Sequence, residues 1–114
     1  FDGKASNPYI DIKCHFNTAG SKPTVVIEAK CNNSMEWLQT VDPLELKISL
    51  TRPQTFVIAD RWSADYEEFI DYLNFKCHGQ RFKKGDFATY KITSVGNQLK
   101  ISEEGRWINI IKVH

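Results

Sequence analysis

Ile10-Asp11-Ile12-Lys13-Cys14-His15-Phe16-Asn17 is the stretch on which the fold turns, with apolar side chains in every second place and polar ones between them. Successive residues of a strand point to opposite faces, so this is a half-buried strand with a polar outer surface. Val25, Ile27, Ala29 and Cys31 repeat the rhythm against Val26, Glu28 and Lys30. Between the two runs lies Ala19-Gly20-Ser21-Lys22-Pro23, a chain-reversing composition that predicts a hairpin. Working outward, Leu44, Leu46, Ile48 and Leu50 alternate with polar residues, and Pro43 and Pro53 bracket them, as expected where proline is kept out of a ladder.

Phe56-Val57-Ile58-Ala59 is a short β-rich run, and Leu73-Asn74-Phe75-Lys76-Cys77 alternates again before a turn at His78-Gly79-Gln80. Gly85 and Gly96-Asn97 mark turns around Phe87 to Ile92 and Leu99-Lys100-Ile101, and Trp107 to Val113 is apolar on both faces. Short strands at this spacing predict an antiparallel sandwich or a barrel. One segment breaks the period. From Trp62 to Leu73, the residues Tyr66, Phe69, Ile70 and Leu73 fall at helical spacing, and Asp65 and Glu68 stand three apart as in a capping box. A short amphipathic helix is expected there, its aromatic face on the sheet.

The 114 residues make one domain spanning 1–114, too short for two cores of ordinary size. Phe1 rather than Met at the start and an apolar run just before His114 suggest a domain excised from a longer chain. Fifteen basic against fourteen acidic side chains argue against a strong polyanion binder, whose affinity comes from neutralised phosphates. No apolar run approaches the ~20 residues of a helical span, so no membrane insertion is expected. Cys14, Cys31 and Cys77 allow at most one internal disulfide, a poor framework that leans towards a reducing compartment or buried thiols. Asn32-Asn33-Ser34, a glycosylation sequon, pulls the other way.

Cys14-His15 and Cys77-His78 read as buried cysteines beside surface histidines, because strand neighbours face opposite ways, so neither a metal nor another cofactor is expected. No nucleophile elbow or phosphate loop is present, and the acids Asp60, Asp65, Glu67, Glu68 and Asp71 read as the solvated face of the helix. The expectation is therefore a protein that is not an enzyme. Arg81, Lys83 and Lys84 interleave with Phe82 and Phe87, a basic-aromatic hairpin that could bind a single nucleic-acid strand together with Lys91. The plainer reading puts those phenylalanines in the core.

Asp11-Ile12-Lys13-Cys14-His15-Phe16-Asn17, then Val25-Val26-Ile27-Glu28, then Trp37 resembles the central stretch of a galectin carbohydrate-recognition domain, which runs His-x-Asn-x-Arg, Val-x-Asn and Trp-x-x-Glu-x-Arg. Leu73 to Phe82 and Ile92 to Val113 resemble that family's later strands. The resemblance implies an antiparallel β-sandwich, a galectin-like jelly roll, with one short inserted helix. It also implies a sugar site in which His15 and Asn17 supply polar contacts, Trp37 stacks on the sugar and Glu28 stands at the asparagine position. Ala19, Thr40 and Asp42 occupy the places of the family's arginine, glutamate and second arginine, removing charge-assisted bonds worth ~1.5–3 kcal/mol each. The expected function is a non-catalytic binding module for a glycan through an altered site, or for a protein partner through the helix around Trp62, Tyr66 and Tyr72. The alternative is a small barrel binding single-stranded nucleic acid through Arg81, Phe82, Lys83, Lys84 and Lys91.

Overall fold

The structure, a computed structural model, describes residues 1–6, 9–18, 20, 22–78, 80–93, 97–103 and 105–113. Ala19, Ser21, Gly79 and Gly96, at which turns are expected, lie outside the described residues. The strands are β1 (Asp2–Ala5), β2 (Ile10–Asn17), β3 (Thr24–Lys30), β4 (Leu38–Gln39), β5 (Leu44–Ile48), β6 (Thr55–Ile58), β7 (Thr89–Ile92), β8 (Gln98–Glu103) and β9 (Arg106–Ile111), with helix α1 (Ala64–Lys76) between β6 and β7.

The expected hairpin forms, with Cys14 opposite Ile27 and Phe16 opposite Val25. The sandwich does not. All pairings are antiparallel, and β1, β2, β3, β5, β6, β7, β8 and β9 form a ring in which β1 bonds both β2 and β9. The sheet thus closes into an eight-stranded up-and-down barrel, while β4 and β5 share one edge of β3. Alternation alone cannot separate the two architectures, since each has one apolar and one polar face per strand. Closure depends on β1, a strand with little apolar pattern to announce it. Gly3 makes it fit: a Cβ there would stand 2.3 Å from the Asn109 carbonyl oxygen. Gly3→Ala is expected to cost ~1–3 kcal/mol by overpacking the seam. Hydrogen exchange should show faster exchange of the Ile111 amide, and unchanged protection there would contradict this role.

Inward positions build one core, with Ile10, Ile12, Cys14, Val25, Ile27, Ala29, Ile101 and Ile110 at most 1% exposed. Three residues expected in it lie outside: Ile48 at 65%, Leu50 at 99% and Phe75 at 70% exposure. Ile48 ends β5 and Leu50 follows in the loop, beyond the reach of the packed interior. Phe75 is exposed because the expected strand at Leu73–Cys77 is the end of α1 instead. Leu73 and Cys77 are four apart and continue the buried stripe of Tyr66, Phe69 and Ile70, so the helical period wins over an alternation of equal length. The cap is Ser63, whose side chain accepts a hydrogen bond from the Tyr66 amide, and Asp65 lies in the first turn rather than at the cap.

Cys31 and Cys77 form a disulfide that ties the chain just beyond β3 to the C-cap of α1. Of the three cysteines, which allow at most one internal disulfide, these two make it, a bond of the kind that persists in oxidising compartments. Cys14 alone remains a thiol, and it is buried. No helix among the described residues is long and apolar enough to cross a membrane.

Candidate functional site

The two ends of the barrel are built differently. At the end where β6 finishes and β7 begins, α1 and the segment after it cover the interior. Tyr66, fully buried, donates to the Asp86 carbonyl oxygen and accepts from the Gly85 amide, both at 2.8 Å. Asn74 holds both backbone groups of Phe82, at 2.7 and 2.9 Å. Phe82 and Phe69 pack on Phe87, which keeps a positive φ of 60° because its ring is locked in the core and its amide bonds the Ser102 carbonyl. Between β8 and β9, Arg106 meets the fully buried Glu103 at 2.9 Å and donates to the Ser6 carbonyl.

The opposite end is open. There the inward side chains enclose a cup of about 390 Å³, lined by Phe1, Phe16, Thr18, Pro23, Leu46, Phe56, Tyr90, Ile92 and Leu99. Those within strands are placed by the pleat: Phe56 is opposite Tyr90, and Ile92 is opposite Leu99, on inward-facing register positions, while Phe1, Thr18 and Pro23 flank the ends of β1, β2 and β3. Phe16 on β2 meets Tyr90 on β7, the strand across the ring from it, edge to face through the interior, and Phe1 stands edge to face on Phe16, with centroids 5.5 and 5.4 Å apart. Inward positions that would be buried deeper in the barrel are open at its rim, with Ile92 and Ile48 both exposed. Thr18 and Tyr90 are the lining residues whose side chains carry a polar atom, and the Tyr90 hydroxyl is buried beside Cys14.

Below the rim, burial pushes the Cys14 thiol up to about 12 and the Tyr90 phenol well above its usual value, with the two groups beside each other. Burial likewise raises the Tyr66 phenol to about 12. A folded-state pKa above the unfolded one contributes stability that is whole below the unfolded value and is lost as pH rises through the folded one. Stability should therefore fall between about pH 9 and 12, where the unfolded chain ionises first. Cys14→Ala should flatten that slope in chemical denaturation at each pH, and an unchanged slope would contradict the assignment. Such a thiol is poorly nucleophilic, so it serves as part of the cup's foundation rather than as a reactive group.

Of the residues singled out for sugar binding, His15, Asn17 and Glu28 share the outer face of β2 and β3, but Trp37 stands at the far end of that face from Asn17: its ring lies by Lys13 and Lys30, whereas Asn17 is opposite Thr24, six residues along β3 from Lys30. Their chemistry is largely spent on each other. His15 pairs with Glu28, and the Lys13 and Lys30 ammonium groups lie 4.5 and 4.7 Å from the Trp37 ring centre. A sugar stacking on that indole competes with two cation–π contacts of ~0.5–1 kcal/mol each. Ala19, at the family's arginine position, lies outside the described residues.

Among the partner candidates, Tyr66 is buried and unavailable, Trp62 is exposed but sits under Lys84 at 3.5 Å, and Tyr72 is half exposed. Lys84 also pairs with Glu67 at 2.7 Å, and Phe82 and Phe87 are in the core, so residues 81–87 present no basic-aromatic hairpin. Lys91 stands apart from them on β7. No group of three or more metal-ligating side chains occurs among the described residues. The cup escaped sequence reading because its members are spread over seven strands and their flanks. The signal was available in Phe16, Leu46, Phe56, Ile92 and Leu99, the inward residues nearest the loops at one end.

The arrangement defines a class: a small up-and-down β-barrel, covered by a helix at one end and open to an apolar cup at the other. No family model matches the chain, and no curated protein and no solved structure matches it.

Proposed function

We propose that this protein is a non-catalytic binding module whose ligand is a small apolar molecule held in the open end of the barrel. The observation that carries the reading is the cup itself, about 390 Å³ of space walled by aromatic and aliphatic side chains. Eight-stranded barrels leave an interior just wide enough for side chains or for one small ligand, and ligand sites favour barrel mouths. Here side chains fill one end and leave the other. Among the described residues the lining carries no charged side chain to orient a reacting substrate, which favours capture over catalysis.

A linear aliphatic alcohol of eight to twelve carbons fits these constraints, its chain against Phe16, Phe56 and Leu99 and its hydroxyl at the rim near Thr18. At about 0.6 kcal/mol per heavy atom, within the usual range for small ligands, a ten-carbon alcohol reaches a Kd on the order of tens of micromolar. Displacement of a neutral fluorophore, 1-aminoanthracene, by decanol tests this. Leu46→Trp fills the cup and should weaken decanol binding at least tenfold, while Trp62→Ala at the far end should leave it unchanged. Equal affinity in the Leu46→Trp protein, or no displaceable dye, sinks the reading.

The glycan reading of the outer β2–β3 face has less support, because its indole and imidazole already hold partners. The protein-partner reading keeps Tyr72 and loses Tyr66.

A further inference from the structure

The outer wall of β6 to β9 carries cations that enter no ion pair among the described residues. Lys91 and Lys100 are directly opposite each other on β7 and β8, so their side chains leave the same face of the barrel as neighbours. Like charges in that position oppose folding. None of the ion pairs among the described residues includes Lys91, Lys100 or Arg52. Arg52 and Lys91 line one cleft of about 430 Å³ together with Pro53, Thr55 and Trp107. Trp107 is 46% exposed on β9, opposite Ser102, two residues along the strand from Lys100. No cation–π contact covers its ring among those described, in contrast to Trp37 and Trp62.

A cleft holding Arg52, Lys91 and the open Trp107 indole, with Lys100 opposite Lys91 on the next strand, is complementary to a ligand that carries repeated anions on a ring framework. Sulfated sugars and nucleic acid both answer that description. The disulfide decides between them, because Cys31–Cys77 belongs in an oxidising space, where sulfated polysaccharide is the polyanion at hand. We infer that this wall is a binding site for a sulfated polysaccharide, with sulfates on Arg52, Lys91 and Lys100 and a sugar ring on Trp107. The site is separate from the cup and independent of what the cup holds.

The test is calorimetric titration of the full chain with a heparin-derived hexasaccharide at several salt concentrations. Binding should weaken as salt rises, since released counterions supply much of the affinity. Lys91→Ala/Lys100→Ala should bind at least tenfold more weakly, yet unfold at the same temperature or higher, because a repulsion has been removed. Trp107→Ala should lose several-fold and Trp107→Phe should recover most of it. Lys22→Ala/Lys76→Ala, with the same charge change elsewhere, should bind like the parent, and decanol affinity should be the same in all four variants. Undiminished binding by the Lys91/Lys100 variant overturns the inference, as does equal binding of the desulfated hexasaccharide. Tighter binding of a twelve-residue deoxythymidine strand at matched salt would reassign the wall to nucleic acid and overturn it too.

Discussion

Replacing Cys31 and Cys77 together by alanine is expected to remove about 4 kcal/mol of stability, from the chain-entropy relation for a closed loop of this length. The bond spans 46 residues, so its loss frees a large part of the unfolded chain. It also releases the one covalent tie between the β3 end of the barrel and the C-cap of α1, next to the buried stripe of Tyr66, Phe69, Ile70 and Leu73. Domains of this size are stable by ~5–15 kcal/mol in all, so the change decides whether the protein is robust or marginal. It corresponds to a fall in Tm of roughly 15 °C. Thermal unfolding of the parent with and without reductant, beside the double variant, checks it. The reduced parent and the variant should coincide, and a Tm within about 3 °C of the oxidised parent would contradict the role given to the bond.

Arg106→Ala should cost a comparable amount, about 3–5 kcal/mol, because it withdraws the guanidinium from a carboxylate that is fully buried. The converse change is milder. In Glu103→Gln the arginine, with more than a quarter of its side chain exposed, can still meet solvent and its Ser6 carbonyl. The two variants thus separate a buried-charge penalty from the loss of one ion pair. A buried carboxylate deprived of the guanidinium favours its neutral form, so the Arg106→Ala deficit should be smaller in acid than at neutral pH. Denaturant titrations at pH 7 and pH 4 read both effects. Equal costs for the two variants, or a deficit that does not change with pH, would show that the pair is not what holds that end together.

Most of the wall of the barrel could be read in the chain, and its closure could not. Ile10 to Phe16 and Val25 to Cys31 announce inward and outward faces by period alone, and both strands fall where that period puts them. Whether such strands stack as two layers or bend into a ring depends on contacts between residues far apart in sequence, here Asp2 with Ile111. β1 gave no signal because its inward residues are Gly3 and Ala5, small side chains that suit a tight seam. The galectin resemblance, drawn from local runs, pointed to two layers for the same reason. α1 was legible in the spacing of Tyr66, Phe69, Ile70 and Leu73, but its last turn carries an alternation that also suits a strand. The sites followed the same division. His15 and Glu28 meet on the outer face as their strand positions imply, yet sequence does not reveal that Lys13 and Lys30 cover the Trp37 indole. The cup and the Lys91–Lys100 wall belong to no single segment and exist only once the ring is closed.

An amide-shift titration of the isotopically labelled protein with decanol tests the binding role of the open end most directly. The expected result is saturating shifts confined to Phe16, Thr18, Leu46, Phe56, Tyr90, Ile92 and Leu99, with Trp62, Tyr72 and Trp107 still. Shifts that miss the cup, or that never saturate up to the solubility of the alcohol, would contradict it.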